Sequence, residues 1–280
     1  MNKSVVLVHP FSGNRTFVPP LGVLYVAAAL RQADYTVRVL EMDLGRVPDS
    51  TVTQAISELD PVFVGITCNI VQVSEVVRLS RVVKAAGATV VVGGPMPTVV
   101  PERILKEPCV DICVRGEGEI TAVELADAMH DGRDWRQIKG LSYRPDSDHV
   151  VHTPDRPFVR HLDSLPFPAH DLNLPPGAYS ANATPAPATP LVAVLPARGC
   201  PFNCSFCSNV WRHQNRRRSA QNVVAELEWL VDTFGVKQVF FYDDTFNSNP
   251  AFVRELSQSI IDRHLHIGWR ADCRANRKLV

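Results

Sequence analysis

The 280-residue sequence predicts an α/β protein in two parts, a doubly wound sheet of five parallel strands followed by the opening of a second strand–helix alternation. Three observations carry that expectation. Over about the first 130 residues, short β-branched runs alternate five times with helix-like segments. The runs are apolar almost throughout, as strands covered on both faces must be. After a proline-rich interval the alternation resumes at Leu191.

The expected strands are Ser4–Val8, Thr36–Leu40, Val62–Thr67, Thr89–Val92 and Asp111–Val114. Helices are expected at about 20–32, 51–59, 71–86, 98–106 and 119–129. Pro19-Pro20 opens the first helix, where a missing N–H costs least. Gly87 fits the stop of the third. LSYRPDSDHVVH then reads as a hairpin turning at Asp146–Asp148. Residues 154–190 hold too many prolines for regular helix or central strand and read as a partly extended linker. In the second part, strands are expected at 191–197, 236–242 and from 267, with helices at 220–234 and 250–263. Val223, Val224, Leu227, Leu230 and Val231 fall at helical spacing in the first of these helices. The expected divisions are 1–135, a hairpin and linker over 136–190, and 191–280. Three strands and two helices are too few to close a barrel.

Hydrophobic content is 45%, charged content 21% and net charge zero, giving no electrostatic reason to expect a nucleic acid or an anionic membrane as partner. No apolar run approaches the roughly 20 residues that cross a bilayer. The N-terminus, MNKSVVLVHPFSGNR, reads as a first strand rather than a signal peptide. A cytoplasmic location is expected. Three of the seven cysteines are clustered and the number is odd, which points to metal or redox chemistry rather than a disulfide framework.

That cluster is Cys200-Pro-Phe-Asn-Cys204-Ser-Phe-Cys207, a C-x3-C-x2-C run. Soft thiolates suit iron–sulfur clusters, and three ligands for four irons leave one iron open to a substrate. The loop follows an apolar strand, LVAVLPARG, at the carboxyl end where α/β folds place their sites. Gly199 and Pro201 suit a tight loop, and Phe206 is placed to shield a cluster or an adenine from water. The alternative is a zinc site completed by His213.

The C-x3-C-x2-C loop resembles the signature of the radical S-adenosylmethionine (SAM) superfamily. The wider chain is similar to cobalamin-dependent members, through VPPLGVLYVAAALR at 18–31, VGGPMPTVVPE at 92–102, VRGEGEIT at 114–121, RRRSAQNVVAELEWL at 216–230, FFYDDTFNSN at 240–249 and WRADCRA at 269–275. The resemblance implies a flavodoxin-like cobalamin domain followed by a partial radical SAM (β/α) barrel. It also implies a [4Fe–4S] cluster on Cys200, Cys204 and Cys207, with SAM on the open iron.

By the same resemblance the cobalamin loops are Ser12–Val18, Thr67–Val71, Gly93–Pro95 and Gly116–Glu119, with Thr67, Gly93, Gly94, Gly116, Glu117 and Gly118 as contacts. Each follows an expected strand, and the glycines allow close backbone approach, although they also serve simply as tight turns. The D-x-H-x-x-G motif is absent, since positions 7 and 12 are Leu and Ser, so no cobalt-binding histidine is expected and His9 reads as a loop or core residue. Phe206, Asp243, Asp244 and Arg270 are the expected SAM contacts, the carboxylates for its ammonium and the arginine for its carboxylate. The alternative for Asp244 and Thr245 is capping of the next helix.

Of the remaining residues, Arg212–Arg218 reads as a solvated helix entry or, alternatively, a phosphate or tRNA contact. Cys109 and Cys113 read as core, while Cys68 and Cys273 lie at strand ends within reach of a cofactor. The implied activity is methylation of an unactivated carbon of a small-molecule or natural-product substrate, with a flavodoxin or ferredoxin as electron donor. Radical cyclisation or oxidation of the anaerobic porphyrin-cyclase type, a non-catalytic cofactor-binding fragment, and tRNA methylthiotransfer are the alternatives. Family members continue into further barrel strands, so the chain reads as truncated within the barrel.

Overall fold

The computed structural model describes residues 2–13, 19–43, 47–147, 149–173, 191–207 and 214–275. In the N-terminal part the apolar runs form β1 (Ser4–His9), β2 (Thr36–Glu41), β3 (Phe63–Thr67), β4 (Val90–Gly93) and β5 (Ile112–Val114), parallel and in the order β2-β1-β3-β4-β5. The helices are α1 (Leu21–Gln32), α2 (Asp49–Leu59), α3 (Val73–Ala85), α4 (Pro95–Val99), α5 (Pro101–Leu105) and α6 (Gly118–His130).

Successive strand residues point to opposite faces, and both faces are covered. Val6, Val8, Val64, Ile66, Val90 and Val92 pack with Val52 of α2 and Val76, Leu79 and Val83 of α3. Val5, Leu7, Phe63, Val91, Ile112 and Val114 pack with Ala27 and Leu30 of α1 and Ala122 and Leu125 of α6. That two-sided burial is why the strand sequences do not alternate with polar residues.

Two features depart from the sequence expectation. The single helix expected over 98–106 is two short ones, because Val100 adopts φ −140° and Pro101 restarts the helix at its first position. The hairpin expected between the two parts instead joins the first sheet. Its strands, β6 (Leu141–Tyr143) and β7 (Val151–His152), extend the sheet antiparallel beyond β5 to seven strands. Leu141 is buried against the core, and Tyr143 meets Trp135 edge-on at 5.0 Å between ring centroids.

In the C-terminal part, β8 (Leu191–Val194), β11 (Gln238–Phe241) and β12 (Gly268–Ala271) form a parallel sheet in the order β12-β11-β8. Between them lie a two-stranded antiparallel pair, β9 (Ala197–Arg198) with β10 (Arg216–Arg217), and helices α7 (Ala220–Phe234) and α8 (Pro250–Asp262). Val192, Val194, Val239 and Phe241 pack against Val223, Leu227 and Leu230 of α7 and Phe252 and Leu256 of α8. Ser219 caps α7 by accepting the Asn222 N–H at 3.1 Å, and Gly235, at φ 62°, ends it.

The chain divides into two compact units, one mainly Gly22–Val159 and the other mainly the described residues after 190. No described helix is long and apolar enough to cross a membrane.

Candidate functional site

The first unit has its topological switch point between β1 and β3, whose connections leave in opposite directions. At the carboxyl end of β3, Asn69 and Gln72 form a reciprocal capping box. The buried Gln72 also donates through Nε2 to the Pro10 carbonyl at 2.7 Å, tying the β1 and β3 loops together across the switch point. With its polar groups turned inward, this loop presents Ile70 and Val71 to solvent, 74% and 64% exposed. Val99 on α4 and Ile120 in the first turn of α6 are exposed too.

The neighbouring loops interlock. The Cys68 N–H donates to Gly93 O at 2.8 Å, and the Met96 N–H to Cys68 O at 3.0 Å. Thr98 Oγ1 donates to Gly94 O at 2.8 Å and accepts the Gly116 N–H at 3.0 Å, joining the β4 and β5 loops. Gly94 lies at φ 103°, where an added Cβ would sit 2.9 Å from Thr67 Oγ1 and 3.0 Å from Cys68 O, so a close backbone approach requires glycine. An added Cβ at Gly93 would meet only Val114, at 3.9 Å, and one at Gly116 would meet nothing within 4 Å. These two positions therefore leave open space above the edge, room that a flat ligand could use.

Thr67, Gly93, Gly94, Gly116 and Gly118 thus lie together on this edge. Glu117 belongs to the same loop, but its carboxylate is buried and accepts the Val159 N–H at 2.8 Å. Asn14–Val18 of the first expected loop lie outside the described residues. His9, at the end of β1, is buried with Nδ1 2.9 Å from both oxygens of the buried Glu41. Cys68 is fully buried, and burial pushes its thiol pKa up to about 12, so it is held as an unreactive thiol. Cys109 and Cys113 are core residues, as expected, and burial raises both thiols.

In the second unit the cysteine loop leaves β9 through Gly199 at φ 85° and returns at β10, so one antiparallel pair closes its base. Asn215 Nδ2 donates to Gly199 O at 3.2 Å across that base. Cys200, Cys204 and Cys207 are half-buried free thiols, and the Cys207 N–H donates to Cys204 O at 3.1 Å. Among the described residues no three His, Cys, Asp or Glu side chains converge as around a single ion. A cubane cluster asks for a wider spread, since each thiolate binds a different iron. Thiolate donors, partial exposure and a position at the carboxyl edge of a parallel sheet fit such a cluster. Phe206 is 90% exposed. His213 lies outside the described residues.

Next to this loop, at the carboxyl end of β11, Asp243 is buried. Its Oδ1 accepts the Thr245 N–H at 2.9 Å and its Oδ2 lies 3.4 Å from Arg217 Nη1. Burial holds the Asp243 carboxyl above the usual carboxylate range despite those partners, and lowers the Arg217 guanidinium. Arg217 also donates to Ser248 Oγ at 2.7 Å and stacks on Phe252 at 4.6 Å. Asp243 therefore fixes the turn, and Asp244 is the exposed carboxylate of the pair. Neither Asp244 nor Thr245 caps α8. That role belongs to Asn249, whose Oδ1 accepts the N–H groups of Ala251 and Phe252.

Arg270 on β12 pairs in register with Phe240 of β11 and stacks over its ring at 4.4 Å, on the sheet face opposite the helices. Among the described residues it has no carboxylate partner.

For Arg217 and Arg218 the structure corrects the reading of the basic run, while Arg212 and His213 lie outside the described residues. Arg217 is desolvated as above, and Arg218 is buried in an ion pair with the buried Glu226. Both are internal struts, neither a solvated helix entry nor a phosphate contact. A run of adjacent arginines gave no sign of this in sequence, because their carboxylate partners lie 8 and 26 residues away.

Comparison with known proteins agrees with this two-part organisation. Residues 15–126 match the B12 binding domain and residues 194–276 the radical SAM superfamily. Over 92% of its length the chain is 36% identical to uncharacterized methyltransferase PH0819 of Pyrococcus horikoshii, covering 56% of that protein. Over 96% of its length it is 28% identical to the anaerobic magnesium-protoporphyrin IX monomethyl ester cyclase of Synechocystis, covering 54% of it. The chain thus spans about half the length of these curated relatives. Its fold is that of the radical SAM methyltransferase TsrM of Kitasatospora setae, with a TM-score of 0.75 at 23% identity, over 94% of this chain and 52% of TsrM. With the two edges and these matches taken together, the chain is a B12-binding radical SAM protein, a cobalamin-binding domain followed by a domain of the radical SAM superfamily.

Proposed function

We propose that this chain is the cofactor-binding part of a cobalamin-dependent radical SAM methyltransferase acting on an unactivated carbon of a small-molecule substrate. The observation that carries the reading is the pairing, in one chain, of an apolar, glycine-lined switch-point edge with a loop of three free, half-buried cysteines. The methyltransferase relatives support the reaction type, and TsrM, solved with a tryptophan substrate, supports the substrate class.

In this reading Cys200, Cys204 and Cys207 each hold one iron of a [4Fe–4S] cluster and leave the fourth for SAM. Asp244 accepts from the SAM ammonium, Asp243 and Arg217 hold the turn that presents it, and Arg270 receives the SAM carboxylate. Phe206 stands exposed on the loop and would cover the cluster or an adenine once they are bound. Ile70, Val71, Val99 and Ile120 give the corrin an apolar seat, and the backbone at Gly93–Gly94 and Gly116–Gly118 lies close to it. The reading includes no histidine ligand to cobalt, because the D-x-H-x-x-G motif is absent. When bound, the cofactors supply a 5′-deoxyadenosyl radical for hydrogen abstraction and a carrier for the methyl group. A flavodoxin or ferredoxin supplies the electron.

The experiment is anaerobic incubation of the reconstituted chain with SAM, hydroxocobalamin and dithionite. A methyltransferase yields both 5′-deoxyadenosine and S-adenosylhomocysteine. The cyclase relative motivates a second reading, in which 5′-deoxyadenosine forms without S-adenosylhomocysteine. If neither forms from protein holding a full cluster, the chain by itself is a cofactor-binding module and the enzymatic reading fails for it.

A further inference from the structure

The Cys200 Sγ lies 3.4 Å from the Thr245 hydroxyl oxygen. Among the described residues, Cys204 and Cys207 have no side-chain hydrogen-bond partner, so this contact singles out one corner of the cysteine triplet. Thr245 is 6% exposed and firmly held. Its N–H donates to Asp243 Oδ1 at 2.9 Å, and Asp243 is in turn anchored by Arg217, itself bonded to Ser248. The Thr245 hydroxyl also lies 2.6 Å from the Asp244 carbonyl.

A hydroxyl carries one proton and accepts through its lone pairs. While Cys200 is a thiol, its S–H can donate to Oγ1 and the hydroxyl can donate to Asp244 O. A thiolate bound to iron has no proton, and the Thr245 hydroxyl is then the donor of the pair. Rotation about the Cβ–Oγ bond is enough to turn it from the carbonyl to the sulfur, with no backbone movement.

We propose that Thr245 is a positioning residue that donates its hydroxyl hydrogen bond to the Cys200 thiolate of the bound cluster and thereby raises the cluster's reduction potential. The inference rests on the reading of Cys200, Cys204 and Cys207 as cluster ligands. Reduction adds negative charge to the cluster, and a donor aimed at a ligand sulfur stabilises the reduced form more than the oxidised one. The interlocked turn from Asp243 to Thr245 keeps that donor at one corner of the site.

The test compares wild type, Thr245→Val and Thr245→Ser, each reconstituted anaerobically and titrated electrochemically without SAM, with the reduced cluster followed by EPR. Valine keeps the shape and removes the hydroxyl, while serine keeps the hydroxyl. The valine variant should have the lower midpoint potential, its reduced-to-oxidised ratio at a fixed poise falling by about three- to tenfold. The serine variant should return toward wild type. If valine prevents cluster assembly, Thr245→Ala takes its place with the same expectation. Coincident midpoints for wild type and the hydroxyl-free variant, at equal iron and sulfide content, would overturn the proposal. So would a shift that serine fails to reverse, since that is a packing effect. A wild-type chain that assembles no reducible cluster overturns the reading of the three cysteines, and this inference with it.

Discussion

The two units share one design, a parallel sheet with its loops at the carboxyl edge, yet they equip that edge in opposite ways. The first edge is apolar and built from backbone. Glycines allow close approach, and Ile70 and Val71 stand out into solvent because Asn69 and Gln72 keep the loop's polar groups inside. The second edge is polar and built from side chains, with Cys200, Thr245, Asp243, Arg217 and Ser248 in one chain of contacts. The first suits a large, flat, weakly polar ligand held over a broad area. The second suits a small, charged, reactive group that must be fixed atom by atom. Common topology sets where a ligand goes, and loop chemistry sets which ligand it is.

The largest expected effect breaks the second edge. Cys204→Ala removes one of three thiolates, leaving at most a partial cluster and abolishing 5′-deoxyadenosine formation. Continued formation from that variant would refute the ligand assignment. On the first edge, Gly94→Ala places a Cβ in left-handed backbone and against Thr67 and Cys68, and should destabilise the chain by about 2–4 kcal/mol in a denaturant titration. Gly93→Val sharpens the contrast. An added Cβ there meets only Val114, at 3.9 Å, so stability should change less than in Gly94→Ala, whereas cobalamin affinity should fall by about tenfold, the equivalent of about 1.4 kcal/mol. Unchanged affinity would remove the β4 loop from the corrin site.

Much of this was legible in the sequence because it is local. The helix expected at 220–234 is α7 residue for residue, since an apolar stripe, a serine cap and a glycine stop all lie within one segment. The C-x3-C-x2-C loop was legible for the same reason. What stayed hidden depends on distant partners. The hairpin at 141–152 was readable as a hairpin, but its pairing with β5 is a contact across the fold. Arg217 and Arg218 looked like a solvated run because Asp243 and Glu226 meet them only after folding. The exposed Ile70–Val71 pair did leave a signal, an aliphatic dipeptide inside the polar frame Asn69-x-x-Gln72 just past a strand. The split between α4 and α5 was likewise marked by Pro101, which the helical periodicity of the segment outweighed.

The central claim, that one chain carries two edges for two different cofactors, is tested most directly by metal content. The chain would be reconstituted anaerobically with iron, sulfide and hydroxocobalamin, then desalted and analysed for cobalt, iron and sulfide. The account predicts about one cobalt and about four irons per chain. Iron without cobalt would contradict it, reducing the first edge to a scaffold and leaving methyl transfer without its carrier.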